Sequence, residues 1–121
     1  MNFFQKLFNR PPRPGKPLPV TDDTFEADVL KSKIPVVVDF WSPTCAPCQV
    51  MAGLLNELGP QFAGRVNIYK LNVNENPTTA TRFRIMSVPT VIFFKQGKIV
   101  DLFSGLLPLN PLKEKLEKLA G

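Results

Sequence analysis

The chain has 121 residues, 44% of them hydrophobic, and a formal net charge of +5 at pH 7. This length suits one ordinary domain, and the apolar content is enough to form a buried core. Because the chain has two cysteines and no histidine, its composition argues against a disulfide-rich secreted scaffold, a Cys–His or Ser–His catalytic pair, and a four-ligand zinc site within one chain.

The N-terminal part differs in composition from the rest. Residues 1–10 place four apolar side chains on one helical face, and residues 11–19 contain five prolines, which favour a stiff, extended spacer. We interpret residues 1–19 as a basic, proline-rich extension and residues 20–121 as the folded domain. For residues 1–10 we favour an unstructured tail over an amphipathic membrane anchor. We expect residues 1–16 to make at most weak contact with a membrane surface. The four apolar residues are Phe3, Phe4, Leu7 and Phe8.

The periodicity of apolar residues predicts alternating helices and strands in the first half of the domain. A helix over residues 21–31 begins with three potential capping residues, Thr21, Asp22 and Asp23. Residues 35–41 form an apolar run typical of a buried central strand. A helix over residues 49–58 directs five apolar side chains to the core: Val50, Met51, Leu54, Leu55 and Leu58.

The second half of the domain continues this alternation and ends in a hairpin and a helix. The sequence predicts strands at residues 66–73, 88–94 and 98–104, a short helix over residues 76–83, and a last helix after Pro108. Gln96-Gly97 is typical of a hairpin turn between the last two strands. This order predicts an α/β fold in which helices cover both faces of a mixed central sheet.

Both cysteines lie at a strand-to-helix junction, in the stretch Trp41–Cys48. If Cys45 begins the helix, its sulfur faces backbone N–H groups and the positive end of the helix dipole, which stabilise a thiolate. Cys48 follows one turn later on the same face, so the two Cα atoms would lie roughly 5–6 Å apart, within disulfide range. A purely structural disulfide is the alternative, but so small a loop would constrain the unfolded chain little.

The chain resembles the thioredoxin family from about Thr21 to its C-terminus. Two residues depart from the family motif Trp-Cys-Gly-Pro-Cys, since Thr44 replaces the tryptophan and Ala46 the glycine. The resemblance implies a thioredoxin-like three-layer α/β/α sandwich and a redox-active pair, Cys45 and Cys48, that needs no metal or organic cofactor. The supporting stretches are Val38-Asp39-Phe40-Trp41, Lys70-Leu71-Asn72-Val73-Asn74, Val88-Pro89-Thr90, Phe94-Lys95-Gln96-Gly97-Lys98 and Gly105.

The resemblance also implies roles for the two cysteines. Cys45 is the attacking thiol, because it lies nearest the helix N-terminus and the family places it at the exposed edge. Cys48 is then the resolving thiol, which attacks Cys45 and releases the reduced target. Pro47 stands where related oxidants often carry histidine. Because proline does not stabilise the thiolate, it favours the disulfide form and makes the reduced protein the better reductant.

A carboxylate inside a buried strand is costly unless it is satisfied or functional. Asp39 is such a residue. It is either a satisfied core polar group or a proton acceptor and donor for Cys48, and the resemblance supports the second role. Burial should raise the pKa of Asp39 toward neutrality, whereas Lys70, which matches a family lysine near this carboxyl, should lower it.

The resemblance places seven residues at the substrate-contacting surface. Pro89 would have a trans peptide bond by frequency alone, but the family holds this proline cis beside the cysteines. That arrangement leaves the backbone of Val88 able to pair with a substrate peptide. Trp41 is more simply a packing residue beneath the loop. The seven residues are Trp41, Thr44, Ala46, Pro47, Val88, Pro89 and Gly105.

We therefore predict a protein-disulfide reductase that acts on disulfide-containing proteins through a mixed disulfide. A separate thioredoxin reductase would supply electrons, because the chain has no Gly-rich dinucleotide loop. We expect a cytoplasmic monomer without nucleic-acid binding, since charges beyond the extension are nearly balanced. Two other classes stay open. One is a peptide-binding module with an incidental redox pair, and the other is a dimer bridged by a metal or iron–sulfur cluster through Cys45 and Cys48.

Overall fold

The computed structural model describes residues 14–121, which form a five-stranded mixed sheet. The strands lie in the order β1-β3-β2-β4-β5. The first three run parallel to their neighbours, whereas β4 is antiparallel to β2 and β5 is antiparallel to β4. The strands are β1 (Leu18–Pro19), β2 (Val36–Trp41), β3 (Asn67–Asn72), β4 (Thr90–Lys95) and β5 (Lys98–Ser104).

Three α-helices and two shorter turns complete the architecture. Helix α1 spans Ala46–Leu58, α2 spans Pro77–Arg82 and α3 spans Leu109–Ala120. A π-helical turn covers Glu26–Leu30, and a 3₁₀ turn, Gly59–Phe62, follows α1. Prolines lie in the first turns of α1 and α2, where the missing N–H has no intrahelical partner to lose.

Two apolar cores lie on opposite faces of the sheet. Alternation along β2 directs Val37 into one core and Val36 and Val38 into the other. The first core packs α1 and α3 against the sheet, and the second includes Phe25 and the aromatic ring of Phe83, which follows α2. Helices therefore cover both faces of the central sheet, which confirms the predicted three-layer α/β/α sandwich.

The sheet begins before the predicted start of the domain. Leu18 and Pro19 pair with β3 as an edge strand, and the N–H of Val20 donates to the carbonyl of Lys70 at 2.9 Å. Pro19 has no N–H to donate to a neighbouring strand, and an edge strand tolerates this because one of its sides is unpaired. The expectation of an extended spacer up to residue 19 is therefore wrong for these two residues. The predicted amphipathic face of residues 3–8 lies outside the described residues.

The helix predicted for residues 21–31 is a π-helical turn instead, closed by a bond from the N–H of Lys31 to the carbonyl of Glu26. Of the three proposed caps, Thr21 accepts from the N–H of Thr24 at 3.3 Å. Asp22 instead caps α2, because its Oδ1 accepts from the N–H of Thr79 at 2.8 Å. Thr21 is thus the candidate that bonds within its own segment, whereas Asp22 joins two segments distant in sequence.

Two further local predictions need correction. Val50 is 53% exposed rather than directed to the core. The buried stripe of α1 runs through Met51, Leu55 and Leu58, and Val50 lies beside that stripe. The strand predicted from residue 88 begins at Thr90, because Pro89 has no N–H for the ladder. The hairpin turn is confirmed, with positive φ at Gln96 and Gly97.

Candidate active site

The chain folds so that Cys45 is the N-cap residue of α1. Its backbone is extended, and its Sγ accepts a hydrogen bond from the N–H of Cys48 at 3.1 Å. The two cysteines form a disulfide with Cα atoms 5.2 Å apart, as their spacing predicts. In the reduced protein the same N–H and the positive end of α1 would stabilise a thiolate on Cys45.

The two sulfurs differ in their access to solvent. Cys45 is half-buried, whereas Cys48 is 2% exposed. The Sγ of Cys45 also lies 3.6 Å from the carbonyl oxygen of Val88, so the loop before β4 contacts the accessible cysteine. An approaching disulfide therefore reaches Cys45 first.

The loop next to Cys45 contains the Val88–Pro89 peptide, which is cis as the resemblance implied. The carbonyl of Pro89 accepts from the N–H of Gly105 at 2.8 Å, so Gly105 also lies at this edge of the site. The hydroxyl of Thr90 bonds to the carbonyl of Ser87 at 2.7 Å. Thr90 thereby holds the loop on both sides of Pro89. The sequence analysis did not assign Thr90 this role, although it directly follows Pro89.

Asp39 lies beneath α1. Because side chains alternate along a strand, its carboxyl shares the face of Val37, which packs in the core with α1. Its Oδ1 is buried and has no hydrogen-bond partner among the described residues. Burial raises the pKa of Asp39 to about 7, and the positive charge of Lys70, its neighbour in β3, lowers it in part. The carboxyl therefore takes up and releases a proton near neutral pH.

One cavity is lined by both this carboxyl and Cys48. It has a volume of about 140 Å³ and is lined by Asp39, Cys48, Trp41 and Lys70, together with Ser42, Pro43, Gln49 and Ala52. Lys70, which the sequence analysis connected with Asp39, also lines this cavity. Asp39 and Cys48 therefore face one common space.

The comparisons with known proteins agree with this geometry. The thioredoxin family model matches residues 16–118. A thioredoxin of Synechocystis is 46% identical over 99 residues, covering 82% of this chain and 92% of the relative. Thioredoxin 1 of Nostoc is 43% identical with the same coverage of both chains. The chloroplastic M-type thioredoxin of Pisum sativum is 46% identical over 82% of this chain and 58% of its own length.

The chain belongs to the thioredoxin family. With a disulfide between Cys45 and Cys48 at the start of α1, it is a thiol–disulfide oxidoreductase of the thioredoxin type. Its substrates are protein disulfides, and its electrons come from reductase partners, as is general in this family. These findings do not favour a peptide-binding module or a metal-bridged dimer. No helix within residues 14–121 is long and apolar enough to cross a membrane.

The surface around Cys45 departs from the usual thioredoxin rim. Thr44 and Ala46, which stand in place of the family's tryptophan and glycine, are both exposed, as is Pro47. Trp41 is half-buried, and its Nε1 is enclosed without a hydrogen-bond partner in the described part of the chain. Trp41 therefore packs beneath the rim, while the side chain of Thr44 is part of the rim itself.

The sequence analysis missed a groove beside the segment that precedes Val88. It has a volume of about 550 Å³ and is lined by Val73, Pro77, Ala80, Thr81, Arg84, Ile85 and Met86. The side chain of Met86 is 92% exposed, only two residues before Val88. In this segment Arg84 adopts a positive φ of 53°, a backbone conformation that residues other than glycine rarely adopt.

Proposed function

We propose that this thioredoxin reduces protein disulfides by attack of Cys45 and resolution by Cys48. The Cys45 thiolate attacks one sulfur of the target disulfide, which forms a mixed disulfide and releases one target thiolate. Cys48 then attacks the Sγ of Cys45, which releases the second target thiolate. The target gains two electrons, and the protein is left with the Cys45–Cys48 disulfide.

The difference in exposure of the two sulfurs carries this assignment. Only Cys45 presents an accessible sulfur, and that sulfur accepts the N–H of Cys48 at the N-terminus of α1. Cys48 is enclosed and reaches its neighbour across one helical turn. Its lower access protects it from external disulfides but leaves it able to attack Cys45.

Asp39 serves as the proton acceptor for Cys48 in this scheme. A resolving cysteine must lose its proton before it attacks, and a carboxyl whose pKa is raised to about 7 accepts a proton near neutral pH. The shared cavity supports this role. Lys70 acts through Asp39, because its charge keeps the pKa of the carboxyl from rising further.

The target peptide lies, in this proposal, across the rim and the Val88 loop. The carbonyl of Val88, held beside Cys45 by Pro89, accepts a backbone N–H of the target. Gly105 leaves space on the opposite side of the loop. The seven residues at this surface are Trp41, Thr44, Ala46, Pro47, Val88, Pro89 and Gly105.

We further propose a monomer that receives electrons from a thioredoxin reductase in a reducing compartment, the cytoplasm. The monomer is supported by a site whose cysteine pair, Val88 contact and buried carboxyl all belong to one chain. The chloroplastic M-type relatives make a plastid the other compartment to test. Fractionation of cells that express the tagged chain distinguishes the two.

Trapping with cysteine variants tests the assignment of roles. The Cys48→Ser variant should form a mixed disulfide with an oxidised substrate such as insulin, joined through Cys45 and detected by mass spectrometry. The Cys45→Ser variant should trap no substrate and should lose dithiothreitol-driven insulin reduction. The roles are reversed if only the Cys45→Ser variant traps substrate. The proposed function fails if the unmodified protein does not reduce insulin.

A further inference from the structure

A second groove lies at the end of the sheet opposite the cysteines, between α3 and strands β4 and β5. It has a volume of about 500 Å³ and is lined by Phe93, Lys95, Val100, Asp101, Lys115, Lys118 and Leu119. Strand β4 runs from Thr90 beside the active site to Lys95 at this groove. Five residue steps along a strand correspond to about 17 Å, so the two surfaces are separate.

The groove lining carries excess positive charge. Lys115 is neutralised by Asp101, whose Oδ2 lies 2.5 Å from the Lys115 Nζ. The pKa of Asp101 is lowered, first by the hydrogen bond from Lys115 and, among smaller causes, by the charge of Lys118. Within residues 14–121, no carboxylate lies at ion-pair distance from Lys95 or Lys118. Two ammonium groups at the groove are therefore available to an anionic partner.

The remaining lining is apolar and borders the edge of the sheet. Phe93 and Leu119 form a buried floor at 1% and 6% exposure, whereas Val100 is 54% exposed. A bulge places Val100 opposite the step between Phe93 and Phe94, and β5 has no strand on its outer side among the described residues. An occupant therefore contacts both apolar and cationic groups.

We propose that this groove, lined by Lys95, Val100 and Lys118, docks an acidic, extended segment of a partner protein. Carboxylates of that segment pair with the two lysines, and an apolar side chain between them packs on Val100 and Leu119. A small inorganic anion would leave the apolar floor uncovered. A second copy of this chain docked groove to groove is disfavoured, because such an isologous contact would bring Lys95 and Lys118 of one copy close to the same two lysines of the other.

This docking surface goes beyond the proposed reduction of disulfides, because it does not involve Cys45 or Cys48. A partner bound there stays bound whether the cysteines are oxidised or reduced. The surface thus gives acidic proteins a longer residence time on this thioredoxin than the active site alone provides. Charge pairs at such a rim also accelerate association and weaken as salt is added.

The test measures binding of a fluorescent peptide that alternates glutamate with valine or leucine to the full-length protein. A peptide with glutamine in place of glutamate serves as the neutral probe. The groove variant is Lys95→Glu with Lys118→Glu. The control variant, Lys31→Glu with Lys33→Glu, changes the net charge equally at exposed positions outside the groove.

We expect the groove variant to raise the Kd of the acidic peptide about tenfold and the control variant to raise it less than twofold, since close charge pairs outweigh distant ones. The neutral peptide should bind about tenfold more weakly than the acidic one, and a Val100→Ser variant should also bind the acidic peptide more weakly. Insulin reduction with dithiothreitol should be equal in all variants, which also shows that the dithiol site is intact.

Four results overturn the proposal. Equal loss of binding in the groove and control variants would show nonspecific attraction to a basic chain. Competition by inorganic phosphate at the same concentration as the peptide would show a small-anion site. Loss of insulin reduction in the groove variant alone would make the groove part of the substrate site. Dimerisation that disappears in the groove variant would identify a second copy as the occupant. A protein that binds the peptide as expected but reduces no insulin would refute the proposed function alone.

Discussion

The buried carboxyl of Asp39 makes the stability of the oxidised protein depend on pH in a defined direction. Its pKa is about 7 in the fold against 3.8 for an ordinary aspartate. Because the folded state binds the proton more tightly, this group stabilises the fold fully below the unfolded pKa and loses that effect as pH rises through about 7. The gap corresponds to about 4 kcal/mol, at about 1.4 kcal/mol per pH unit.

An Asp39→Asn variant removes the charge while keeping the shape of the side chain. About 3 kcal/mol of the total loss falls between pH 4.5 and pH 8.5, because the unfolded carboxyl is already mostly ionised at the lower pH. The free energy of unfolding of the variant, relative to that of the unsubstituted protein, should therefore rise by about 3 kcal/mol over this range. Any pH-independent cost of the buried amide cancels in this difference.

Guanidinium unfolding of the oxidised proteins at both pH values measures this difference. Asp23→Asn, at an exposed aspartate, controls for the general effect of removing a negative charge. At pH 7 the Asp39→Asn variant should also release a mixed disulfide more slowly, because Cys48 lacks its proton acceptor. A relative stability that is unchanged, or falls, between pH 4.5 and pH 8.5 would refute the reasoning about burial, and unchanged release would refute the proton role.

Three other changes have expected outcomes. Thr44→Trp should lower the Michaelis constant for a thioredoxin reductase measured by NADPH oxidation, because the indole adds apolar contact area at the rim. Gly53→Ala should raise the free energy of unfolding by about 0.5–1 kcal/mol, since an added Cβ at residue 53 meets nothing within 4 Å. Gly59→Ala should lower the free energy of unfolding, because its Cβ would overlap the backbone carbonyl of residue 15. Deleting residues 1–13 should remove any salt-sensitive binding to anionic liposomes and leave the melting temperature unchanged. Deleting residues 1–19 should also lower the melting temperature, because it removes β1 from the sheet.

Each of these changes has a contradicting result. An unchanged Michaelis constant for Thr44→Trp would mean that other residues form the reductase contact. Equal effects of the two glycine substitutions would contradict the packing described around Gly59. Equal melting temperatures for the two deletions would show that β1 contributes nothing to stability, and salt-insensitive absence of liposome binding in the full chain would reject the membrane contact.

Much of the fold was predictable because its signals are local. The run of apolar residues in β2, the Gln96-Gly97 turn and the leucine spacing of α3 each follow from short-range periodicity or turn chemistry. The arrangement around Cys45 was predictable for the same reason, since a cysteine at a helix start and another three residues later determine their own geometry.

The features that were not predicted depend on contacts distant in sequence. Leu18–Pro19 reads as part of a proline-rich spacer, and only pairing with β3 makes it a strand. Asp22 has the sequence context of a cap for its own segment but bonds to Thr79, 57 positions away. The groove between α3 and β5 likewise forms from lysines on separate elements, so no continuous basic stretch marks it.

The reduction potential of the Cys45–Cys48 couple tests most directly whether this protein is a reductant. Equilibration with dithiothreitol redox buffers, followed by thiol alkylation and mass spectrometry, gives the value at pH 7. Pro47 supplies no donor to the thiolate, so we expect a potential near the thioredoxin class value of about −270 mV, a known value for the class rather than one calculated from this structure. A potential at or above about −180 mV, the range of disulfide isomerases and oxidants, would contradict the account.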